Sequence, residues 1–460
     1  MATETTTGLG QGLERVFPLG SRLNEHGRLE VGGCDTLELA REFGTPAYVV
    51  AEEDLRMRAR AFLSAARTAG HAQQLGVVFA SKAFPCTAVL ALFAQEGLWC
   101  DVASGGELHL ALGAGFAPER IVLHGNAKSE AELRMALRHR VGLIVIDNLD
   151  ELDRLETLIA QGELADRGSQ GVLIRATPNV KGDTHEKIST GQADSKFGFG
   201  MDQVAAAIER VRSVEGLELE GVHAHIGSQL FDLEPFQREV TQLASLRELA
   251  GPEGFATWDL GGGLGVAYSA EQQPPSIEEY VAVLVGAARE QLGEHARLLI
   301  EPGRSLVANA GVTLYTVQSV KRNISTWVAV DGGMSDNLRP MLYAARYEAH
   351  VADRMGRPAA PSANSGAGTG RAESPVDGLT RCVLAGKHCE SGDVIVRDAL
   401  LDDPRPGDVI VTPATGAYGY AMSNNYNGVP RPPVIFCAGG DARVVVRRES
   451  FEDMTARDVL

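Results

Sequence analysis

The sequence is poor in the features that would tie a chain to a membrane or to nucleic acid. No apolar run approaches the ~20 residues of a membrane-spanning helix. Positive charge is the minority sign: Lys and Arg total 43 against 60 for Asp and Glu, a formal net charge of -17. That balance argues against nucleic acid and anionic membrane as partners. It leaves an anionic small substrate open, because a local cluster of Arg and Lys overrides the global sign. The six cysteines, Cys34, Cys86, Cys100, Cys382, Cys389 and Cys437, include no Cys-x-x-Cys pair. Neither a zinc knuckle nor a dithiol redox site is suggested, and no metal is expected. The opening MATETTTGLGQG carries acid and threonine and lacks the basic-then-apolar pattern of a secretory signal. The expectation is a cytoplasmic protein with reduced thiols. What remains is ordinary: 44% hydrophobic and 22% charged residues over 460 positions, enough for two or three globular domains.

Short apolar, β-branched runs recur along the first two thirds. They are VVFA (77–80), LWCDV (98–102), RIVLH (120–124), GLIVI (142–146), VLIRA (172–176), VHAHI (222–226), ATWDL (256–260) and RLLIE (297–301). Between them lie segments with helical spacing of apolar residues, such as AELRMALRHR (131–140), AAAIERVRSV (205–214) and EEYVAVLVGAAREQL (278–292). Strand, helix and strand with crossovers of this length mean a parallel sheet. Eight units predict an α/β fold with a (β/α)8 barrel over residues 46–305. A doubly wound open sheet is the rival.

In a barrel the chemistry collects at the C-terminal strand ends. Here every end is polar. The runs lead in turn to Lys82, ASGGEL (103–108), HGNAKS (124–129), Asp147 with Asn148, Arg175 followed by Asn179, HAHIGSQ (223–229), GGGLG (261–265) and EPGRS (301–305). Past Arg304 the rhythm changes to strands without long helices: VTLYTVQSVKR, STWVAVDGG, DVIVRDALL, DVIVTPAT, PPVIFCAGG and ARVVVRRES. These predict a β-rich second domain from residues 306–460, joined by an N-terminal segment, 20–45, that contains GRLEVGGCD. The stretch 356–377 is rich in Gly, Ala, Pro and Ser and reads as a mobile loop.

Lys82, at the end of a strand that reads as buried, has two explanations. Its stem snorkels to solvent, or its amine is held for covalent chemistry. An amine of the second kind suits an aldehyde cofactor, and pyridoxal 5'-phosphate (PLP) makes further demands that can be sought. Its phosphate needs backbone donors, which Gly261, Gly262 and Gly263 offer, with Gly303 beyond the eighth strand; a tight turn explains the same glycines. Its ring nitrogen needs a carboxylate, and Glu301 fits, unless it only pairs with Arg304. Its ring needs a face, and His225 fits, unless it is a core histidine. Ser228 suits a phosphate oxygen. His223 is read as facing the other way and as structural. A proton donor is also required; Cys389, between His388 and Glu390 in GKHCESGD, is a candidate, though a free thiol is more often simply buried.

Taken together, FASKAF, DVASGGEL, HGNAKS, HAHIGSQ, DLGGGLG, EPGRS, DGGMSDNLRPMLY, GKHCESGD and TGAYGYAMSNNYN resemble, in this order and spacing, the fold-type III PLP decarboxylases of the alanine-racemase-like group. Within that group the sequence is similar to the diaminopimelate decarboxylases, over nearly the whole chain. The resemblance implies Lys82 as the Schiff-base lysine, His225 as the ring-stacking residue and Glu301 as the ring-nitrogen partner. It implies Gly261 to Gly263, Gly303 and Ser228 as the phosphate cradle. Arg304, Arg339, Tyr343 and Glu390 match substrate positions, Cys389 the proton donor, and Tyr418 a residue touching cofactor and substrate. It further implies a homodimer in which Cys389 and Glu390 reach the other subunit's barrel. KAFPC departs slightly from the KAN of many relatives, and the 356–377 stretch is no part of the family's core pattern.

The reaction so implied takes meso-2,6-diaminopimelate to L-lysine and CO2, the last step of lysine biosynthesis. Relatives acting on ornithine, arginine or carboxynorspermidine are the alternatives. Arg339 and the CES triplet speak against the first two, and carboxynorspermidine is harder to exclude. A racemase is disfavoured by a carboxylate at Glu301. A PLP-binding protein without turnover would leave the second domain, with Cys389, Glu390 and Tyr418, without purpose.

Overall fold

Eight runs of buried aliphatic residues pair side by side into a parallel sheet that closes on itself. The strands are Leu75–Ala80, Trp99–Val102, Ile121–Leu123, Leu143–Ile146, Gln170–Thr177, Leu217–His223, Thr257–Asp259 and Arg297–Ile300. Each pairs in parallel with the next. The eighth returns to the first with Leu298 opposite Leu75. This closure is the expected barrel and excludes the open sheet. The computed structural model describes residues 8–10, 12–71, 73–164, 168–180, 195–251, 254–355 and 379–459. The loop expected at 356–377 lies outside them.

Most of the barrel strands are buried on both faces, which is why they read as continuous apolar runs, while Leu217–His223 is buried only over its last three residues. Helices between them bury one stripe each. Glu130–His139 and Ile277–Leu292 both begin with a reciprocal cap, Ser129 with Glu132 and Ser276 with Glu279. The first buries Leu133, Ala136 and Leu137; the second buries Tyr280, Val281, Leu284, Val285 and Ala288. Each large aliphatic or aromatic side chain so removed from water contributes about 1.5–3 kcal/mol.

Alternation along the strands sorts the barrel interior into two layers. Val122, Val145, Leu173 and Leu299 belong to one apolar cluster, against which Trp99 packs. Two residues further along stand His124, Asp147, Arg175, Glu301 and Asp101, all buried. A strand's side chains repeat every second residue, so the apolar layer is followed on the same face by a polar one.

The chain divides into two compact units. One comprises Arg56–Val266 and Pro274–Leu306 and holds the barrel; the other comprises Met1–Leu55, Ala267–Gln273 and Val307–Leu460. The strand Ala47–Ala51, which the expected boundary at residue 46 gives to the barrel, instead pairs antiparallel with Gly311–Arg322 and parallel with Val434–Ala438. Its five residues are all buried, and a fully buried strand carries no mark of which sheet it joins. The sheet of this unit continues through Thr326–Val330, Thr380–Ala385 and Val394–Leu401 on one side and Asp441–Val446 on the other. The N-terminal segment forms a small antiparallel sheet of its own from Arg22–Leu23, Leu29–Val31 and Cys34–Asp35. It packs Leu29, Val31 and Cys34 into the same core as Val49, Val312 and Ile435. Among the described residues no helix is long and apolar enough to cross a membrane.

Candidate active site

The first barrel strand ends in a single helical turn, Ser81–Ala83, which carries Lys82. Ala80 is the register partner of Asp101 on the neighbouring strand. The pairing brings Lys82 Nζ to 2.7 Å from Asp101 Oδ2, where it donates a hydrogen bond. The aspartate side chain is 1% exposed and the lysine side chain 47%. The amine is therefore drawn out of the buried strand to the mouth of the barrel and oriented there by a buried anion.

Glu301 follows the eighth strand and is buried among imidazoles. Its Oε1 lies 2.6 Å from His124 Nε2 and its Oε2 3.4 Å from His223 Nε2. Burial pushes a carboxyl group up, but the imidazoles of His124 and His223, one against each oxygen, hold Glu301 well below the usual carboxylate range. Asp259 behaves oppositely: burial, then the neighbouring charge of Glu301, push it well above its usual value, against a hydrogen bond that its Oδ1 accepts from the Gly261 N–H at 3.0 Å. His225 accepts from the Gly262 N–H at Nδ1, 3.2 Å away. Burial, reinforced by Lys82, lowers the His225 pKa to about 3, so its ring is neutral. Arg304 donates from Nε and Nη2 to Ser228 Oγ at 3.2 and 3.0 Å.

The glycines of the seventh loop are demanded first by packing. A Cβ at Gly262 would collide with the Glu301 carbonyl oxygen, and at Gly263, with φ +132, it would stand 2.6 Å from the Gly227 carbonyl oxygen. The N–H groups of Gly261 and Gly262 already donate to Asp259 and His225. At Gly303 a Cβ would press on Ala80 at 2.9 Å, so this glycine lets the eighth loop approach the strand that bears Lys82.

Lys82, His225, Ser228, Gly261 to Gly263, Glu301, Gly303 and Arg304 thus gather at one end of the barrel. His223 corrects the sequence reading. Two residues from His225 is the same face of an extended chain, not the opposite one. As the last strand residue it points inward, in register with Arg175 and Asp259, and reaches Glu301. His124 and Asp259 were also findable, since each lies two residues beyond an inward position.

His124, His223, Asp259 and Glu301 are the group that could hold a metal ion among the described residues, with ligand atoms within 4.8 Å of one another. The 2.6 Å approach of His124 to Glu301 is hydrogen-bond spacing. Two ligands about 2.0–2.2 Å from a tetrahedral ion stand further apart than that, so His124 and Glu301 as placed are too close to share one.

The remaining site residues lie in the β-rich unit. Arg339 opens the short helix Arg339–Tyr343, is buried, and stands over the rings of Tyr268 and Tyr347 at 4.6 and 5.5 Å, bonding the Tyr347 hydroxyl. Tyr343 is half-buried at the end of that helix. Asp393 clips the Cys389 loop to the preceding one: its carboxylate accepts from the Met334 N–H at 2.7 Å and from the His388 N–H at 2.9 Å. It also bonds His388 Nδ1 at 2.8 Å, and the imidazole stacks on Tyr426. His388 is thus committed to holding the loop. Cys389, whose N–H donates to Asn427 Oδ1, is the exposed cysteine; the other five are buried. Glu390 Oε1 accepts from the Gly392 N–H at 3.2 Å. Tyr418 has φ +63, a left-handed backbone conformation that is uncommon for a bulky residue.

Residues 55–308 match the family model of the pyridoxal-dependent decarboxylases, pyridoxal binding domain. The chain is 44% identical over 451 residues to diaminopimelate decarboxylase of Bacillus subtilis, covering 95% of this chain and 97% of that one. It is 40% identical over 465 residues to diaminopimelate decarboxylase of Mycobacterium tuberculosis, covering 96% and 98%. Among solved structures it is similar to diaminopimelate decarboxylase from M. jannaschii in complex with L-lysine, with a TM-score of 0.84, 30% identity, and coverage of 98% and 99%. The chain belongs to the diaminopimelate decarboxylase family.

As this family's model is pyridoxal-dependent, the barrel residues can be tested for fit to that cofactor. An amine oriented by a buried anion suits an aldehyde. A carboxylate held ionised suits a ring nitrogen. A neutral imidazole suits a ring face, and a guanidinium with a hydroxyl after the sixth and eighth strands suits a phosphate. On the chemistry of its donors the diaminopimelate decarboxylase barrel of this chain fits PLP.

Proposed function

We propose that this chain removes CO2 from one end of meso-2,6-diaminopimelate and releases L-lysine, with PLP as cofactor. The observation that carries the reading is Lys82 held 2.7 Å from Asp101 at the barrel mouth, in a chain whose family makes it a carboxy-lyase. Lys82 supplies the amine for the cofactor aldehyde. His225 would lie against its ring and Glu301 would face the ring nitrogen. Ser228, Arg304 and the backbone of Gly263 and Gly303 take the phosphate, while Gly261 and Gly262 shape the turn. When bound, the cofactor supplies an electron sink for the charge left at the α-carbon as CO2 departs.

The other residues select the substrate and finish the reaction. Diaminopimelate carries an amine and a carboxylate at both ends. Arg339 forks a carboxylate, with Arg304 beside it as a second cation, and the aromatic clamp on Arg339 limits the entropy lost in doing so. Glu390 receives the distal ammonium, with Tyr343 and Tyr418 lining the substrate. The Cys389 thiol delivers the proton that replaces CO2. The working form is a homodimer in which each subunit lends Cys389 and Glu390 to the other's barrel; an exposed thiol in the single chain supports this. All six cysteines are free, which suits a reducing cytoplasm.

The test is CO2 release and product identity with purified protein, PLP and meso-diaminopimelate, beside L-ornithine, L-arginine and carboxynorspermidine. Turnover of diaminopimelate alone, to L-lysine, is expected. A protein that binds PLP and spares diaminopimelate would overturn the substrate and the roles of Arg339 and Glu390.

A further inference from the structure

Glu301 poses a physical problem that its assigned role does not solve. It is 6% exposed, and its neighbour Asp259 is wholly buried. Two carboxyl groups this close cannot both ionise cheaply, and burial alone would leave both protonated. A protonated Glu301 could not keep a ring nitrogen charged. Something must choose which carboxyl carries the charge.

The two histidines make that choice geometrically. His124 Nε2 approaches Oε1 at 2.6 Å and His223 Nε2 approaches Oε2 at 3.4 Å, one imidazole to each oxygen. Their rings meet edge to face with centroids 4.8 Å apart, so each fixes the other's plane. His124 Nε2 is also 4.0 Å from Asp101 Oδ1, which ties the pair to the carboxylate that orients Lys82. Asp259 receives a single N–H, from Gly261. Burial lowers the pKa of His223 to about 4, so its ring is neutral and acts on Glu301 through its position at 3.4 Å, without the alignment of a formed hydrogen bond.

We propose that His124 and His223 are positioning residues that, with one imidazole against each oxygen, hold the Glu301 carboxylate, in preference to that of Asp259, facing the ring nitrogen of the cofactor. This rests on the assignment of Glu301 above. Both histidines act through Glu301 and touch neither cofactor nor substrate.

The test compares the affinity of the cofactor-free protein for PLP and for its 1-deaza analogue, in which a C–H replaces the ring nitrogen. The intact chain is expected to favour PLP by about tenfold or more, the scale of a hydrogen bond to a charged group. Glu301→Gln should collapse that preference. His124→Phe and His223→Phe should each shrink it severalfold, and His124→Gln, which keeps a donor near Nε2, should restore most of it. Should His124→Phe not fold, His124→Asn withdraws the donor from Nε2 and reads the same question. If Glu301→Gln leaves the preference intact, the Glu301 assignment fails and this proposal with it. If Glu301→Gln collapses it while the donor-removing histidine variants keep it, or weaken both ligands equally, the histidines are merely structural and this proposal alone is overturned.

Discussion

Lys82 lies two residues beyond Ala80, the register partner of Asp101 on the adjacent strand, and the result is a 2.7 Å hydrogen bond from an accessible amine to a wholly buried carboxylate. The arrangement settles why a lysine ends so apolar a strand. Its stem leaves the core as a snorkelling lysine would, but its head is drawn to a fixed anion at the mouth of the barrel.

Lys82→Ala should leave a folded protein without the visible absorbance of lysine-bound pyridoxal, and with no measurable CO2 release. Absorbance spectra of protein purified with excess PLP check this. A variant that keeps the band of the unmodified protein would show that another amine holds the cofactor.

Cys389→Ala should lower kcat by about 10²–10⁴, the range of a positioned general acid, with little change in PLP affinity. The loop should survive the change, since Asp393 and Asn427 hold it through backbone groups of His388 and Cys389. Equilibrium binding of PLP beside steady-state kinetics separates the two effects. Loss of PLP binding comparable to the loss of kcat would count against a proton-donor role.

Much of this was legible in the sequence because a closed parallel sheet writes itself in strand-length apolar runs. The polar residue just past each run then marks the mouth. Lys82, Glu301 and Arg304 are readable in that way. Ala47–Ala51 is not, since buried strands of either sheet look alike. His223 was misread by a parity error, although the two-residue repeat contained the answer. The commitment of Gly262 to His225 was beyond reach, since it depends on a donor and an acceptor 37 residues apart meeting across two loops, whereas Gly261 and Asp259 are only two residues apart. Asp393 hides for a similar reason, because its partners at Met334 and His388 are backbone N–H groups that no side-chain pattern announces.

Arg339 should not tolerate its usual conservative replacement. Its guanidinium is stacked by Tyr268 and Tyr347, and a lysine can neither stack in that way nor present a fork. Arg339→Lys should raise KM for diaminopimelate by about tenfold to a hundredfold, the cost of losing a charge-assisted bidentate contact, with a smaller effect on kcat. Steady-state kinetics check it. An unchanged KM would remove Arg339 from substrate binding and leave it a packing residue.

The neutral His225 makes a prediction about acid stability whose sign can be worked out. Its ordinary pKa of 6.5 falls to about 3 in the fold, chiefly through burial. Above pH 6.5 neither the folded nor the unfolded imidazole is protonated, and the shift has no effect. Between pH 6.5 and about 3 the unfolded chain binds a proton that the folded one refuses, so stability is lost as pH falls, by about 1.4 kcal/mol per unit. His225→Phe removes this penalty but also strands the Gly262 N–H that Nδ1 accepts, a loss of about 1–3 kcal/mol that does not vary with pH. The cofactor-free variant should therefore be less stable than the parent at pH 7.5, and the gap should narrow, or reverse, by pH 4.5. Urea midpoints at pH 7.5, 6.0 and 4.5 measure it. A gap that stays constant across that range would mean that His225 titrates alike in the folded and unfolded chains, and the neutral ring that suits it to lie against the cofactor would have to be given up.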